Sequence, residues 1–388
     1  MSKVVIIGGG VVGASVARHL AVRGGCDVTL IEQSPSPGAG STGRATGGAR
    51  VQFGTEINVR MSKYSIDFIR EWDRDCGYDP KGYLFFATSE AGFDSLKRNV
   101  EVQRRVGIES TRTVSREEIA EICPLIVTDD IIGGTFGSED SFINPIALMR
   151  SFHDEAAEHG VRFMFGTEVS SIGRVGGRVS GVITADGEIG CDAVVICTGA
   201  RAARLGSGVG IAIPVRPQRR QIVWARCGEK IPDSLPMVID VGSGFHFRPA
   251  RDFIDPSAVT ENGDLLLAWP DPNDLTASDD FDAGFIPPVL EQSRRRLKIH
   301  ASLDVVPTKC RAGLYENTPD HHGIIGPAGP DGLFLACGFS GHGVMHSPAT
   351  GRAISEMILD GRCGFMDVSA LGFDRFENGR LLEESSFI

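Results

Sequence analysis

The sequence predicts an α/β (α+β) chain, with one domain built on a Rossmann-like βαβ core and a second on a mixed, mainly antiparallel sheet. Three observations carry this prediction. An apolar strand near the N-terminus runs into closely spaced glycines and a helix; apolar and aromatic runs divided by turn residues fill 216–270; and a further strand, glycine loop and helix occupy 333–358.

Residues 3–20, KVVIIGGGVVGASVARHL, give a wholly apolar strand, then Gly8-x-Gly10-x-x-Gly13, then a helix with Ala14, Ala17 and Leu20 on one side. The next strand, DVTLIEQ, ends on Glu32 and Gln33. Gly8 makes the tight turn, Gly10 lets the backbone approach a pyrophosphate, and Gly13 lets helix and strand pack closely. Glu32 stands where a carboxylate accepts both hydroxyls of an adenosine ribose, and its charge would repel a 2′-phosphate. NADP is thereby disfavoured, while NAD and FAD both remain open.

Residues 33–54, QSPSPGAGSTGRATGGARVQFG, hold so many glycines that neither a strand nor a helix interior is expected. A loop shaped around a ligand is the better reading. Ser41, Thr42 and Thr46 supply hydroxyls, Arg44 and Arg50 supply forked cations, and Gly47 and Gly48 allow backbone to approach a flat ring.

Bulk properties narrow the partner. A net charge of −11 over 388 residues excludes an electrostatic footprint for nucleic acid or anionic lipid, so a small molecule is expected. Nine scattered cysteines, never spaced C-x-x-C, point to reduced thiols in a cytoplasmic protein. No apolar run approaches the roughly 20 residues of a membrane span, and the first strand starts too early to leave room for a signal peptide. His321 and His322 lack a third ligand at useful spacing, so no metal is expected.

Local signals place further elements. Asn144 caps a helix over 145–159 that opens with Pro145 and stops at Gly160. A helical pattern at Phe93, Leu96, Val100 and Val102 covers 91–106, and SREE at 115–118 is a capping box before a short helix stopped by Pro124. RRQIVWARC, GFHFRPA and DLLLAWP read as antiparallel strands, and Pro287 and Pro288 open a helix through His300. In LFLACGFSGHGVMHSPATGRAISEMI a helix is expected from Ser347 to Leu359. Its N-terminus would offer unpaired amides and about half a positive charge to something negative.

The order of strand, G-x-G-x-x-G, acid-terminated strand, Ser/Thr/Gly/Arg loop and late GFSGHG resembles the D-amino-acid oxidase superfamily of flavoproteins. Within it the chain is most similar to the sarcosine oxidase, dimethylglycine dehydrogenase and dye-linked proline dehydrogenase branch. The resemblance implies a Rossmann-like FAD-binding domain of the glutathione-reductase type from 1–78, 142–214 and 320–375. It implies a substrate domain from 79–141 and 215–319, and a tail at 376–388. FAD would be touched by Gly8, Gly10, Val12, Gly13, Glu32 and Gln33, by Ser41, Thr42, Arg44, Thr46, Gly47 and Gly48, and by Val169, Thr198 and Gly199. Gly313, Leu314, Gly341, His342, Gly343, Val344 and Met345 would complete the site. The late glycine loop and helix would lie under the pyrimidine edge, where reduced flavin gains negative charge, and so raise its potential.

For the substrate, Arg50 is the first candidate to pair with a carboxylate, because guanidinium binds carboxylate bidentately. The resemblance makes Tyr315 substrate-facing and puts His246 and Arg248 on the strand that covers the substrate. Three departures matter. The cysteine that links flavin in sarcosine oxidases is here Gly313, which implies non-covalent FAD; a carboxylate-binding lysine is Met345; and the oxygen-activating lysine falls at Leu266. Together they favour a dehydrogenase that passes electrons to a partner subunit, quinone or dye. The expected activity is FAD-dependent oxidation of a small secondary amine or amino acid, sarcosine-, proline- or opine-like, by hydride transfer to N5. Two alternatives are a 2-hydroxy-acid dehydrogenase using His246 as base, and a non-catalytic FAD-bound assembly protein without a cavity over the ring.

Overall fold

The computed structural model describes residues 2–250, 260–271, 273–274 and 276–384; positions 385–388 of the expected tail lie outside the described residues. β1 (Ser2–Ile7) leads into α1 (Val11–Arg23) and returns as β2 (Cys26–Glu32). The two strands pair in parallel, Val4 beside Val28 and Ile7 beside Ile31. Arg162–Phe165 and Ala193–Ile196 flank them in parallel, followed by Leu333–Cys337, with Ile324–Pro327 closing that edge antiparallel.

Both faces of this sheet are covered, which is why its strands read as unbroken apolar runs. Val4 and Ile6 pack with α1 and the helices Glu56–Glu71, Pro145–Glu158 and Gly343–Asp360. Val5 and Ile7 face the other way, onto a three-stranded antiparallel sheet spanning 169–190 and the helix Ala202–Gly208.

A second sheet is mixed, with Tyr83–Ala87 and Met237–Asp240 pairing in parallel among otherwise antiparallel neighbours. Its longest strand, Arg216–Cys227, pairs with Arg311–Asn317 over its first half and with Asp264–Ala268 over its second. Period-2 alternation divides this sheet's residues. Leu84, Phe86, Val223, Val238, Phe247, Leu265 and Leu267 form a core with Ile119, Phe285 and Val289 from the covering helices. Tyr83, Ile222, Met237, Ile239, His246 and Ala268 are left to face a cleft between this sheet and the first.

Two helix boundaries differ from expectation. The helix opened by Pro287 and Pro288 stops at Arg296 rather than His300, because Leu297 turns extended (φ −111, ψ 122) and bridges to Ile126. The C-terminal helix begins at Gly343, not Ser347, and takes Pro348 inside it. Proline removes the amide that would bond the Val344 carbonyl, and the Ser347 hydroxyl donates to that oxygen instead at 2.8 Å. The capping expectations hold: Asn144 accepts from the Ile146 and Ala147 amides, and Ser115 and Glu118 form the capping box.

α1 and the C-terminal helix meet at Gly351. A Cβ there would lie 2.6 Å from His19 Nδ1 and 2.7 Å from the Ser15 carbonyl carbon, while the Ser15 hydroxyl donates to Ser347 O at 2.7 Å. Gly351→Ala should therefore lower stability by about 1–3 kcal/mol through overpacking, although alanine is the better helix former. Urea denaturation checks this, and equal or higher stability would contradict the packing account.

Candidate active site

Between the two sheets lies a cleft of about 370 Å³. Its floor is the βα turn after β1. Gly8 sits at φ +108, and a side chain there would also run into the Cys197 carbonyl, so the tight approach of this turn to the neighbouring strand requires glycine. The Glu32 carboxylate accepts from Gly9 N at 2.7 Å through one oxygen and from Ser34 N at 2.8 Å through the other. That fixes the carboxylate while leaving lone pairs on both oxygens for a ribose diol.

The loop after β2 contains one turn of 3₁₀ helix, Ser41–Arg44. Thr42 Oγ1 accepts the Val11 amide at 3.1 Å, and Ser41 Oγ donates to Leu314 O at 2.8 Å. Arg44 donates to Ala312 O at 3.1 Å and pairs with Asp279 at 2.7 Å, joining this loop to the strand Arg311–Asn317 and to the segment before Ala283. Thr46, Gly47 and Gly48 continue the wall, and Val169, Thr198 and Gly199 close the nucleotide end together with Gln33, Gly10 and Val12. Gly13 is not on the wall. A Cβ at Gly13 would collide with Gly8 O, so its contribution is close packing of α1 on the turn.

At the far end the C-terminal helix points its start into the cleft. His342 is the N-cap, and the first bond of the helical pattern runs from His346 N to His342 O at 3.0 Å. The amides of Gly343, Val344 and Met345 precede that bond, and all three residues line the cleft with Gly341. The His342 ring is buried edge-on to Phe53, with centroids 4.9 Å apart, and burial holds its imidazole well below the usual range. Gly313 and Leu314 line the wall as well, and Gly313 has no side chain for a covalent link.

Arg50 is 4% exposed, which rules out a surface role. Its Nη1 donates to Gln52 O, and its guanidinium carbon lies 3.9 Å from the Phe53 ring centroid. Burial depresses its pKa, opposed by Glu384, Tyr83, Asp140 and Tyr315. His246 Nδ1 lies 2.9 Å from Gly244 O; a carbonyl only accepts, so Nδ1 carries the proton and Nε2 keeps its lone pair. Burial, with Arg220 and Arg50 nearby, lowers the His246 pKa and keeps the ring neutral. Tyr315 lies against Gly341, where a Cβ would come within 2.6 Å of its ring. Arg248 is buried behind the wall, over the Phe142 ring at 4.6 Å, and does not reach the cleft.

Three cleft residues escape a reading of the sequence. Tyr83, in YLFFA, looks like core, yet its hydroxyl packs on Gly48. Arg220 is one of a pair with Arg219, and only strand alternation tells which of them faces inward. Glu316 follows Tyr315, and its Oε2 accepts the Gly338 amide at 2.8 Å. His321 and His322 stand in the loop before the strand Ile324–Pro327, and His322 is buried there, with Nδ1 2.6 Å from Asp320 O. Among the described residues no cluster has the composition of a metal site.

The glycine floor, the tethered acid and the unbonded helix amides suit a dinucleotide whose far end takes negative charge, as reduced flavin does. A family model described as FAD dependent oxidoreductase matches residues 3–357. The chain belongs to this FAD dependent oxidoreductase (DAO) family. FAD is its cofactor, and the mixed α/β architecture is that of the family. A Xenopus laevis relative, FAD-dependent oxidoreductase domain-containing protein 1, is 30% identical over 440 residues, covering 100% of this chain and 85% of its own. Mitochondrial dimethylglycine dehydrogenase of Rattus norvegicus is 28% identical, over 94% of this chain and 44% of its own. The crystal structure of L-proline dehydrogenase from P. horikoshii superposes with a TM-score of 0.88 at 30% identity, covering 98% and 99% of the two chains.

Glu316 gives the site a pH signature. Burial pushes its carboxyl from an ordinary 4.5 up to about 7, against the stabilising amides of Gly338 and Phe339. The folded chain thus holds a proton that the unfolded chain has already lost, and stability should fall as pH rises from 4.5 through about 7. In the apoprotein, Glu316→Gln should lose less stability between pH 5 and pH 8 than the parent, as read by urea denaturation. An identical drop in both proteins would contradict a buried, protonated Glu316.

Proposed function

We propose that this chain oxidises a small secondary amine or amino acid, sarcosine-, proline- or opine-like, and acts as a dehydrogenase rather than an oxidase. Bound FAD supplies a hydride acceptor at N5. It would be held without a covalent bond by the floor, loop and helix residues described above.

The observation that carries the reading is the state of His246. An amine releases hydride from its α carbon only when its nitrogen is unprotonated, because the nitrogen lone pair stabilises the cation left behind. A neutral imidazole with Nε2 unprotonated, on a wall of the cleft, suits removal of the ammonium proton. The α C–H pair then leaves as hydride, and the substrate departs as an iminium. Tyr315 and the half-apolar wall of Ile222, Met237, Ile239 and Ala268 would orient the substrate and exclude water. Arg248 would support this wall from behind. Arg50, spent on Gln52 O and the Phe53 face, is assigned to the cofactor side as a buried positive charge.

Electron transfer to something other than oxygen is supported by the lining itself. No described residue of the cleft is a lysine, and Leu266 is buried beside Trp224. A carrier such as a partner subunit, quinone or dye would then be the acceptor. The proline dehydrogenase likeness supports this reading, whereas 4-methylaminobutanoate oxidase of Paenarthrobacter nicotinovorans, 27% identical over 96% of this chain and 45% of its own, is named as an oxidase. The division at 79–141 and 215–319 and a cytoplasmic location belong to the same proposal. The former is supported by the separation of the two main sheets, and the latter by nine unpaired cysteines. No helix among the described residues is long and apolar enough to cross a membrane.

The same imidazole could serve an alcohol, so a 2-hydroxy-acid dehydrogenase is the second reading. Anaerobic bleaching of the flavin band by a panel of amines, amino acids and hydroxy acids decides between them. Bleaching by secondary amines is expected; bleaching by hydroxy acids alone would overturn the first reading, and bleaching by none would return the chain to an assembly role. Arg50→Ala should weaken flavin retention and substrate turnover together, and loss of substrate affinity with full flavin retention would place Arg50 on the substrate.

A further inference from the structure

The proposed amine reading fixes which group reacts at His246 and leaves unassigned what the hydrocarbon part of the substrate meets. The register of the second sheet bears on this directly. Ile222 stands across from Ala268, Ala268 across from His246, and His246 across from Ile239, so that these residues form one row over neighbouring strands. All of them line the cleft. Side chains opposed in this way start about 5 Å apart, within the span of one small substrate.

The row is uneven. On one flank His246 has the branched side chain of Ile239, and on the other only the methyl of Ala268. Every residue around Ala268 is larger. Ile222 and His246 face it across the ladder, Leu266 precedes it in the same apolar cluster, and Pro270 follows it. Pro270 is itself seated against Gly244, where a Cβ would lie 2.5 Å from the proline ring. An alanine among such neighbours leaves a notch about three carbons deep, the difference between an isoleucine and an alanine side chain. His246 alone brings a polar atom to its edge, the Nε2 lone pair, because Nδ1 is committed to Gly244 O. A hydrocarbon wall with one proton acceptor at its rim suits an alkyl group carried beside a nitrogen.

We propose that Ala268 is the size-selecting notch of this site, and that it takes the hydrocarbon next to the amine nitrogen, either a short N-alkyl group or the far side of a ring of about six atoms or fewer. The inference rests on the amine-dehydrogenase reading for the reacting nitrogen, whereas the size rule follows from the row itself. Ile239, on the opposite flank of His246, leaves no matching space, so the substrate is bulky on one side only.

The test is anaerobic bleaching of the FAD-loaded protein by dimethylamine, azetidine, pyrrolidine, piperidine and azepane, read as a half-saturation concentration and a limiting rate for each. In every one of these amines the α carbons are equivalent by symmetry, so the reacting carbon stays the same while the hydrocarbon grows. In the parent, half-saturation should fall by about 4-fold per methylene from azetidine to piperidine and rise again at azepane. Ala268→Val, which fills the notch, should raise the value for piperidine at least about 10-fold relative to that for dimethylamine. Ala268→Gly, which deepens it, should move the optimum to the larger azepane ring. Half-saturation independent of ring size in the parent, or a valine variant that weakens all the amines equally, would overturn the proposal. If the valine variant does not fold, the glycine variant decides, and an unmoved optimum sinks the notch. Failure of the amine reading looks different: no amine bleaches the flavin while hydroxy acids do. Lactate and its longer homologues then read the notch, with chain length counting in the parent and not in the valine variant; a flat response in both would overturn it.

Discussion

Three backbone amides at the head of one helix organise this molecule. Gly343, Val344 and Met345 come before the first intrahelical bond, so their N–H groups have no partner within the helix and face the cleft. Keeping such donors unbonded in a mostly buried place is unfavourable by itself, and the fold holds them there with contacts farther along the helix. Ser347 repairs the carbonyl that Pro348 leaves orphaned, Ser15 of α1 fastens the Ser347 carbonyl, and Gly351 lets the two helices close. The nucleotide floor and the flavin end are thus tied to one another through a single helix pair. A ligand that spans both ends satisfies the glycine turn and the helix amides together.

The second sheet adds what the first lacks. Because alternate residues face opposite ways, one side is a hydrocarbon core under the covering helices and the other presents Tyr83, Arg220, His246 and Ile222 to the cleft. Cations outnumber anions on this lining, and the anions present are occupied. Glu32 is held by backbone amides, Asp279 pairs with Arg44, and Glu316 is kept protonated toward neutral pH by burial. The result is a chamber whose lining carries more positive than negative charge.

Much of the nucleotide half was legible because its constraints are local. The turn after β1, the acid at the end of β2 and the Asn144 cap each follow from a few consecutive residues, and each stands where spacing places it. The roof was legible only as strands. Alternation separates Arg220 from Arg219, but which of the two faces meets the cleft depends on pairing with distant segments, Arg220 with Gly313 among them, and no local pattern encodes that register. Arg248 shows the same limit: it shares a strand face with His246, yet its guanidinium stacks on the Phe142 ring and it is not among the cleft-lining residues. The helix Gly343–Asp360 extends one turn farther back than expected, across Pro348, because the serine beside that proline supplies the missing bond.

Family membership, glycine floor and helix amides converge on a flavin whose reduced form is an anion. The most direct measurement is the two-electron reduction potential of the bound FAD between pH 6 and 9. If Gly343, Val344 and Met345 hold the negative charge, only one proton accompanies two electrons, and the potential should fall by about 30 mV per pH unit from a value above that of free FAD. A slope of about 59 mV per pH unit would mean that the reduced cofactor is neutral, and that the helix does not do what its position implies.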